Sequence, residues 1–143
     1  MSRDIVIKSG TVFDGEGNPA VTADIRIRGE TIAEIGKIGG GESVINATGK
    51  YVTPGFIDIT NHSDTHLTIF KYPALDSLVM QGVTTIIGGN CGSSLAPLGS
   101  PDAIDSIRKW ADPAQININW AGIREYLNEI ENMRLGVNYG TLI

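Results

Sequence analysis

Cysteine is almost missing from this chain: Cys91 is the single one in 143 residues. No intrachain disulfide can form, so the disulfide framework of small secreted domains is excluded. A basic excess is missing too. Against 11 Lys+Arg stand 16 Asp+Glu, a formal net charge of −5, which offers no electrostatic footprint for nucleic acid or an anionic membrane surface. No apolar run approaches the roughly 18 residues of a membrane span. The opening MSRDIVIKSG lacks the apolar core of a signal peptide. These absences lead us to expect a soluble, cytoplasmic protein.

Glycine is plentiful by contrast, 18 residues, or about 13% against a usual roughly 7%. With 41% hydrophobic residues, the chain can build a core while reserving many backbone positions for turns. A compact fold of this length buries roughly two thirds of its unfolded surface. On length alone, 143 residues suggest one ordinary domain.

The pattern along the chain divides that length in two. Alternation and β-branched content predict strands near Asp4–Lys8, Thr11–Phe13, Asp24–Arg28 and Thr31–Ile35, with short ones at Val44–Ile45 and Lys50–Val52. Ile25 and Ile27 alternate with Arg26 and Arg28, as a strand with one dry face should. Gly36–Ser43 (GKIGGGES) lacks the GK[ST] ending of a phosphate loop and is expected to be a flexible connector. After Pro54-Gly55 the grammar changes. Phe56–Thr60, Val83–Ile87 and Gly136–Ile143 read as buried strands. Between them lie expected helices at Pro73–Gln81, stopped by Gly82, at Ile104–Trp110, and at Trp120–Met133 with Ile123, Tyr126, Leu127 and Ile130 on one stripe. Alternating strands and helices with apolar strands are the pattern of parallel β/α units, an α/β fold.

Three places could carry chemistry. In an extended strand Asp58, Thr60 and His62 share one face, and Ile57, Ile59 and Asn61 take the other. The isoleucines would meet covering helices, and the polar set would face the C-terminal strand end, where parallel α/β folds bind ligands. A hydrogen-bonded Asp and a capping His are the structural alternative. His62 and His66 are four apart, but Ser63-Asp64-Thr65 lacks the Glu of a zincin helix, so His66 is read as a peripheral contact or simply exposed. Cys91 sits in GGNCGSS (Gly88–Ser94), directly after the second buried strand. There a thiolate could bind zinc or attack a carbonyl, or a small residue could simply fill a tight loop. Two successive strand ends bearing His62 and Cys91 point to one shared site.

These segments also carry a resemblance. DIVIKSGTVFDGEGNPAVTADIRIRGETIAEIG followed by INATGKYVTPGFID resembles the amidohydrolase superfamily. QGVTTIIGGNCGSSLAPL (Gln81–Leu98) is similar to the N-acyl-D-amino-acid deacylases, or D-aminoacylases, within it. The resemblance implies a zinc-dependent hydrolase that converts an N-acyl-D-amino acid to a D-amino acid and a carboxylate. It implies residues 1–53 as the N-terminal portion of a β-sandwich completed by distant C-terminal strands. Residues 54–143 would begin a (β/α)₈ TIM barrel.

By the same resemblance Cys91 and His62 are the metal ligands. Asp58, Thr60, Asp64, His66 and Asn90 would contact those ligands or the substrate, with Asp64 orienting His62 or a water. Thr60 stands where the family usually has a first histidine, and a hydroxyl is a poor zinc ligand at neutral pH. One tight zinc is therefore expected. The general-base aspartate and two further zinc-binding histidines would lie beyond Ile143. The other classes of reading are a non-catalytic paralogue serving as a binding or assembly subunit, and Cys91 as a covalent nucleophile with His62 as its base. A barrel takes about 250 residues, and Pro54–Ile143 spans 90, room for about three of eight units. The isolated chain is accordingly expected to be inactive and poorly soluble.

Overall fold

The computed structural model describes residues 3–143. It divides into two compact units at Pro54/Gly55. The first is a five-stranded sheet of β1 (Asp4–Val12), β2 (Val21–Arg28), β3 (Thr31–Gly36), β4 (Ser43–Asn46) and β5 (Tyr51–Val52). The order is β3-β2-β1-β4, with β5 also paired to β1. β1 and β2 pair antiparallel, while β4 and β5 run parallel to β1 at successive positions along it.

The strands expected at Asp4–Lys8 and Thr11–Phe13 are one strand with a register shift between Ile7 and Gly10. Ser9 sits there in left-handed backbone (φ 59°). A bulge of this kind removes an N–H from the ladder, and Asp24 supplies the replacement: its Oδ1 accepts the Ser9 N–H at 2.8 Å. Asp24 Oδ2 accepts from Lys8 Nζ at 2.6 Å and from the Ile38 N–H at 3.0 Å. Lys8 Nζ also donates to the Ile38 carbonyl, Arg26 Nη2 reaches the Gly40 carbonyl at 2.7 Å, and Ile38 is buried. The expected flexible connector over Gly36–Ser43 is thus a fastened loop. On this sheet Ile32 and Ile35 remain more than half exposed, and so do Val44 and Ile45.

The second unit is a parallel sheet of β6 (Phe56–Asp58), β7 (Val83–Gly88) and β8 (Asn138–Thr141), in that order. Between β6 and β7 lie two single-turn helices, α1 (Thr68–Lys71) and α2 (Asp76–Val79). Leu67 and Leu75, immediately before them, take left-handed backbone. The kink at Leu75 shortens the helix expected over Pro73–Gln81 to one turn. Leu75 still points into the core, and Val79 is exposed.

Between β7 and β8 the chain makes short 3₁₀ turns and then α3 (Ile123–Asn132). The helix expected at Ile104–Trp110 is a 3₁₀ segment, Pro101–Ile107. α3 starts where Glu125 accepts the Ala121 and Gly122 N–H groups at 2.8 and 3.0 Å. It buries Tyr126 and Ile130, the centre of the expected stripe. Trp120 lies outside the helix, stacks on Phe70 at 5.7 Å and donates its indole N–H to Leu95. Leu67, Ile69, Ile86, Leu95, Ile107 and Tyr126 form the driest part of the core.

Strand β6 departs most from expectation. It ends at Asp58, and Phe56, Ile57 and Ile59 are 58, 63 and 69% exposed. β6 is an edge strand, and among the described residues no helix covers Ile57 or the following Ile59. The strand stops because Asp58 Oδ1 accepts the Thr60 N–H at 3.1 Å, a local bond that competes with the ladder.

Candidate metal centre

The site is assembled from the turns that follow β6 and β7. Past Asp58 the backbone coils through two side-chain-to-backbone turns, Asp58 to Thr60 and then Asn61 Oδ1 to the Ser63 N–H at 2.9 Å. This coiling cancels the alternation that would have put Asp58, Thr60 and His62 on one strand face. Asp58 instead receives Asn61 Nδ2 at 2.8 Å, and Thr60 is exposed. The Asn61 N–H continues the β6–β7 ladder by one bond, to the Ile87 carbonyl at 3.1 Å. His62 follows, half-buried, on a turn closed by the His66 N–H to its carbonyl at 2.9 Å.

After β7, Gly89 takes left-handed backbone and Asn90 donates its side-chain amide to the carbonyls of Ile87 (2.7 Å) and Asn61 (3.2 Å). Asn90 therefore bolts the two loops together. Cys91 is exposed and left-handed as well (φ 59°, ψ 29°). Its Sγ lies 3.7 Å from His62 Nε2. A tetrahedral zinc bound by one thiolate and one imidazole needs these two atoms about 3.6 Å apart, from bond lengths of about 2.3 and about 2.05 Å. The pair thus fits one edge of such a centre. Among the described residues no group of three or more His, Cys, Asp or Glu side chains could hold a metal ion. These two donors would fill half of a four-coordinate shell.

His66 is exposed, and its ring centroid stands 6.4 Å from that of His62 at 83°. Trp110 completes a triangle, 6.2 and 6.4 Å from the two imidazoles. Asp64 is wholly buried, and its hydrogen bonds go to groups other than the His62 ring. Its Oδ1 accepts the Thr65 N–H at 2.8 Å, and its Oδ2 accepts the Gly89 N–H at 2.7 Å and the Tyr139 hydroxyl at 3.3 Å. The nearest partner of His62 Nδ1 is Thr65 Oγ1, at a loose 3.5 Å. Tyr139 and Tyr126 share a 2.8 Å hydrogen bond. Burial, and next the Asp64 charge, raise the Tyr139 phenol above its ordinary 10.0. Burial, and next Tyr139, do the same for Tyr126. The Tyr139 hydroxyl donates to Asp64, and its contact with the Tyr126 hydroxyl, in which either oxygen can donate, extends the chain to α3.

Sequence reading did not find Trp110 or Tyr139. Trp110 follows a short 3₁₀ segment without periodicity. Tyr139 carried one usable signal, a polar-tipped aromatic inside an otherwise apolar third strand.

Comparison with known proteins decides the family. No family model matches the chain. An N-acyl-D-glutamate deacylase from Alcaligenes xylosoxydans xylosoxydans is 34% identical over 98% of the chain and 28% of its own length. The crystal structure of N-acyl-D-glutamate deacylase from Bordetella bronchiseptica, complexed with zinc and a phosphonate mimic of the tetrahedral intermediate, superposes with a TM-score of 0.82 and 32% identity. The match covers all of this chain and 30% of that one. A D-aminoacylase described as defining a novel subset of amidohydrolases gives 0.79 and 32%, over 99% of this chain and 29% of its own. The chain belongs to the D-aminoacylase family of amidohydrolases. It corresponds to a partial N-terminal region, spanning under a third of the D-aminoacylase relatives it matches. Its α/β fold is that of the same region of the D-aminoacylase structures.

Proposed function

We propose that this chain supplies the Cys91 and His62 side of the zinc centre of an enzyme that hydrolyses the amide of N-acyl-D-amino acids. The observation that carries the reading is the 3.7 Å approach of Cys91 Sγ to His62 Nε2, made by turns at the ends of two adjacent parallel strands. The crystal structure of a relative at 32% identity holds zinc and an inhibitor that mimics the reaction's tetrahedral intermediate.

In this reading residues 1–53 belong to a β-sandwich and residues 54–143 open a TIM barrel with the site at its C-terminal rim. The exposed apolar residues of β3, β4 and β6 are what such larger layers would cover. Cys91 would hold the ion through Sγ and His62 through Nε2, the two atoms that face each other. Thr60, an exposed hydroxyl, adds no strong donor, so one tight ion is the expected stoichiometry. Zinc held there supplies Lewis-acid polarisation of the scissile carbonyl and a water acidic enough to attack near neutral pH. This chain's own contribution is placement: Asn90 fixes the two ligand loops against each other, and Trp110 with His66 walls the open side of the His62 ring. The proton relay to the leaving amine belongs to an aspartate outside the chain. A cytoplasmic setting suits the work, because the single thiol must stay reduced.

The test is metal analysis of the complete protein. Cys91→Ala is expected to lose its zinc, and zinc is expected to shield Cys91 from alkylation in the parent. Undiminished zinc in the variant refutes the ligand role. The same contact favours a second reading, a Cys91 thiolate nucleophile with His62 as base. Hydrolysis that survives a chelator but not iodoacetamide would select it.

A further inference from the structure

Asp64 is the largest commitment of charge in the second unit that the metal reading leaves unused. Its carboxylate is fully buried, and among the described residues its hydrogen bonds come from neutral groups: two backbone N–H groups and a phenol. A buried carboxylate without a cation is costly. The position of those donors shows what it holds.

Asp64 lies two residues after His62, on the same turn, and its carbonyl accepts the Leu67 N–H at 2.8 Å. Across the site it takes the Gly89 N–H, two residues before Cys91. One side chain therefore spans the backbones of both ligands at equal remove. Gly89 and Cys91 are each left-handed, and the turn itself is a kinked three-residue 3₁₀ segment, Asn90–Gly92. Tyr139 presses on the same oxygen from β8 and is itself backed by Tyr126 of α3. Gly88 makes the room: a Cβ there would lie 2.5 Å from Asp64 Oδ2 and 2.6 Å from the Tyr139 hydroxyl.

We propose that Asp64 is a positioning residue, braced by Tyr139, that fixes the Gly89 turn and thereby aims Cys91 Sγ at His62 Nε2. This deepens the metal-site reading and rests on it. Partners that orient ligands typically change metal affinity by about 10- to 100-fold when removed.

The test uses the complete protein with three conservative variants, Asp64→Asn, Tyr139→Phe and Tyr126→Phe. Zinc affinity is read by competition with a chromophoric chelator, and the cobalt-substituted forms are read by their thiolate-to-metal charge-transfer band. Asp64→Asn is expected to weaken zinc by about 10- to 100-fold and shift the band. Tyr139→Phe should do the same to a smaller degree. Tyr126→Phe, which loses one buried hydrogen bond farther from the site, should lower Tm without moving affinity or band. A second arm needs no metal: iodoacetamide alkylation of Cys91 in the stripped protein should change several-fold in the first two variants and not in the third. Parental zinc affinity and alkylation rate in both Asp64→Asn and Tyr139→Phe overturn the proposal. So does affinity that tracks Tm across all three. Retained zinc in Cys91→Ala, with the alkylation differences intact, would sink the metal reading and leave the positioning role standing.

Discussion

Each of the two units is organised around a buried aspartate that accepts three hydrogen-bond donors, and the two differ in what those donors are. Asp24 takes the Ser9 and Ile38 N–H groups and the Lys8 ammonium. Asp64 takes the Thr65 and Gly89 N–H groups and a phenol. The cation makes Asp24 a fastener, joining a bulged strand to the loop after β3. With the Lys8 bond first and the backbone N–H groups of Ile38 and Ser9 next, its carboxyl is held down to about 2 from an ordinary 3.8. Asp64 has no cationic partner among the described residues and joins the two loops that carry His62 and Cys91. Similar backbone satisfaction thus fastens a strand to a loop in one unit and, on the proposed reading, a metal site in the other.

Two perturbations separate these roles and a third probes the α3 cap, beginning with the largest effect. Gly88→Ala drives a Cβ into the Asp64–Tyr139 pair. Overpacking of this sort costs about 1–3 kcal/mol, read by denaturant titration, and amide exchange at Gly89 should accelerate with it. Unchanged Gly89 exchange would show that Asp64 does not hold that turn.

Asp24→Asn comes next. A carboxyl with a depressed folded-state pKa contributes stability that is complete above its unfolded value and is lost as pH falls through the folded one. The parent should therefore lose stability between about 4 and about 2 as Asp24 is protonated. The variant should be less stable at neutral pH, with a flatter slope across that window by circular dichroism. An equal slope in both would place the acid sensitivity elsewhere.

The smallest effect is expected from Glu125→Gln. The Ala121 and Gly122 N–H groups hold Glu125 below its ordinary value, but the residue is exposed and an amide oxygen can still accept. Faster exchange of those two amides with little change in Tm is the expected result. A large Tm loss would mean that α3 depends on its cap more than on burying Tyr126 and Ile130.

What the sequence made legible follows the range of the determining interactions. Strands β1, β2 and β7 and the Tyr126–Ile130 stripe of α3 are written in local periodicity. The meeting of His62 and Cys91 was legible because adjacent parallel strands must present their following loops side by side. The fastening of residues 36–43 was not, because it depends on Asp24, 14 residues from Ile38. The hold of Asp64 on Tyr139 crosses 75 residues and leaves no periodic trace. The alternation over Asp58, Thr60 and His62 failed for a local reason: a short acidic side chain captured the backbone two residues ahead and ended the strand.

The left-handed backbone of Cys91 limits what evolution or a library could place there. Asparagine, aspartate and glycine enter that conformation readily, whereas β-branched residues are genuine outliers in it. A saturation screen at Cys91 would therefore be sorted twice, by donor chemistry and by φ. On the proposed metal reading, aspartate would keep both a ligand and the turn, glycine the turn alone. Threonine, despite its oxygen, would be selected against before metal was ever added.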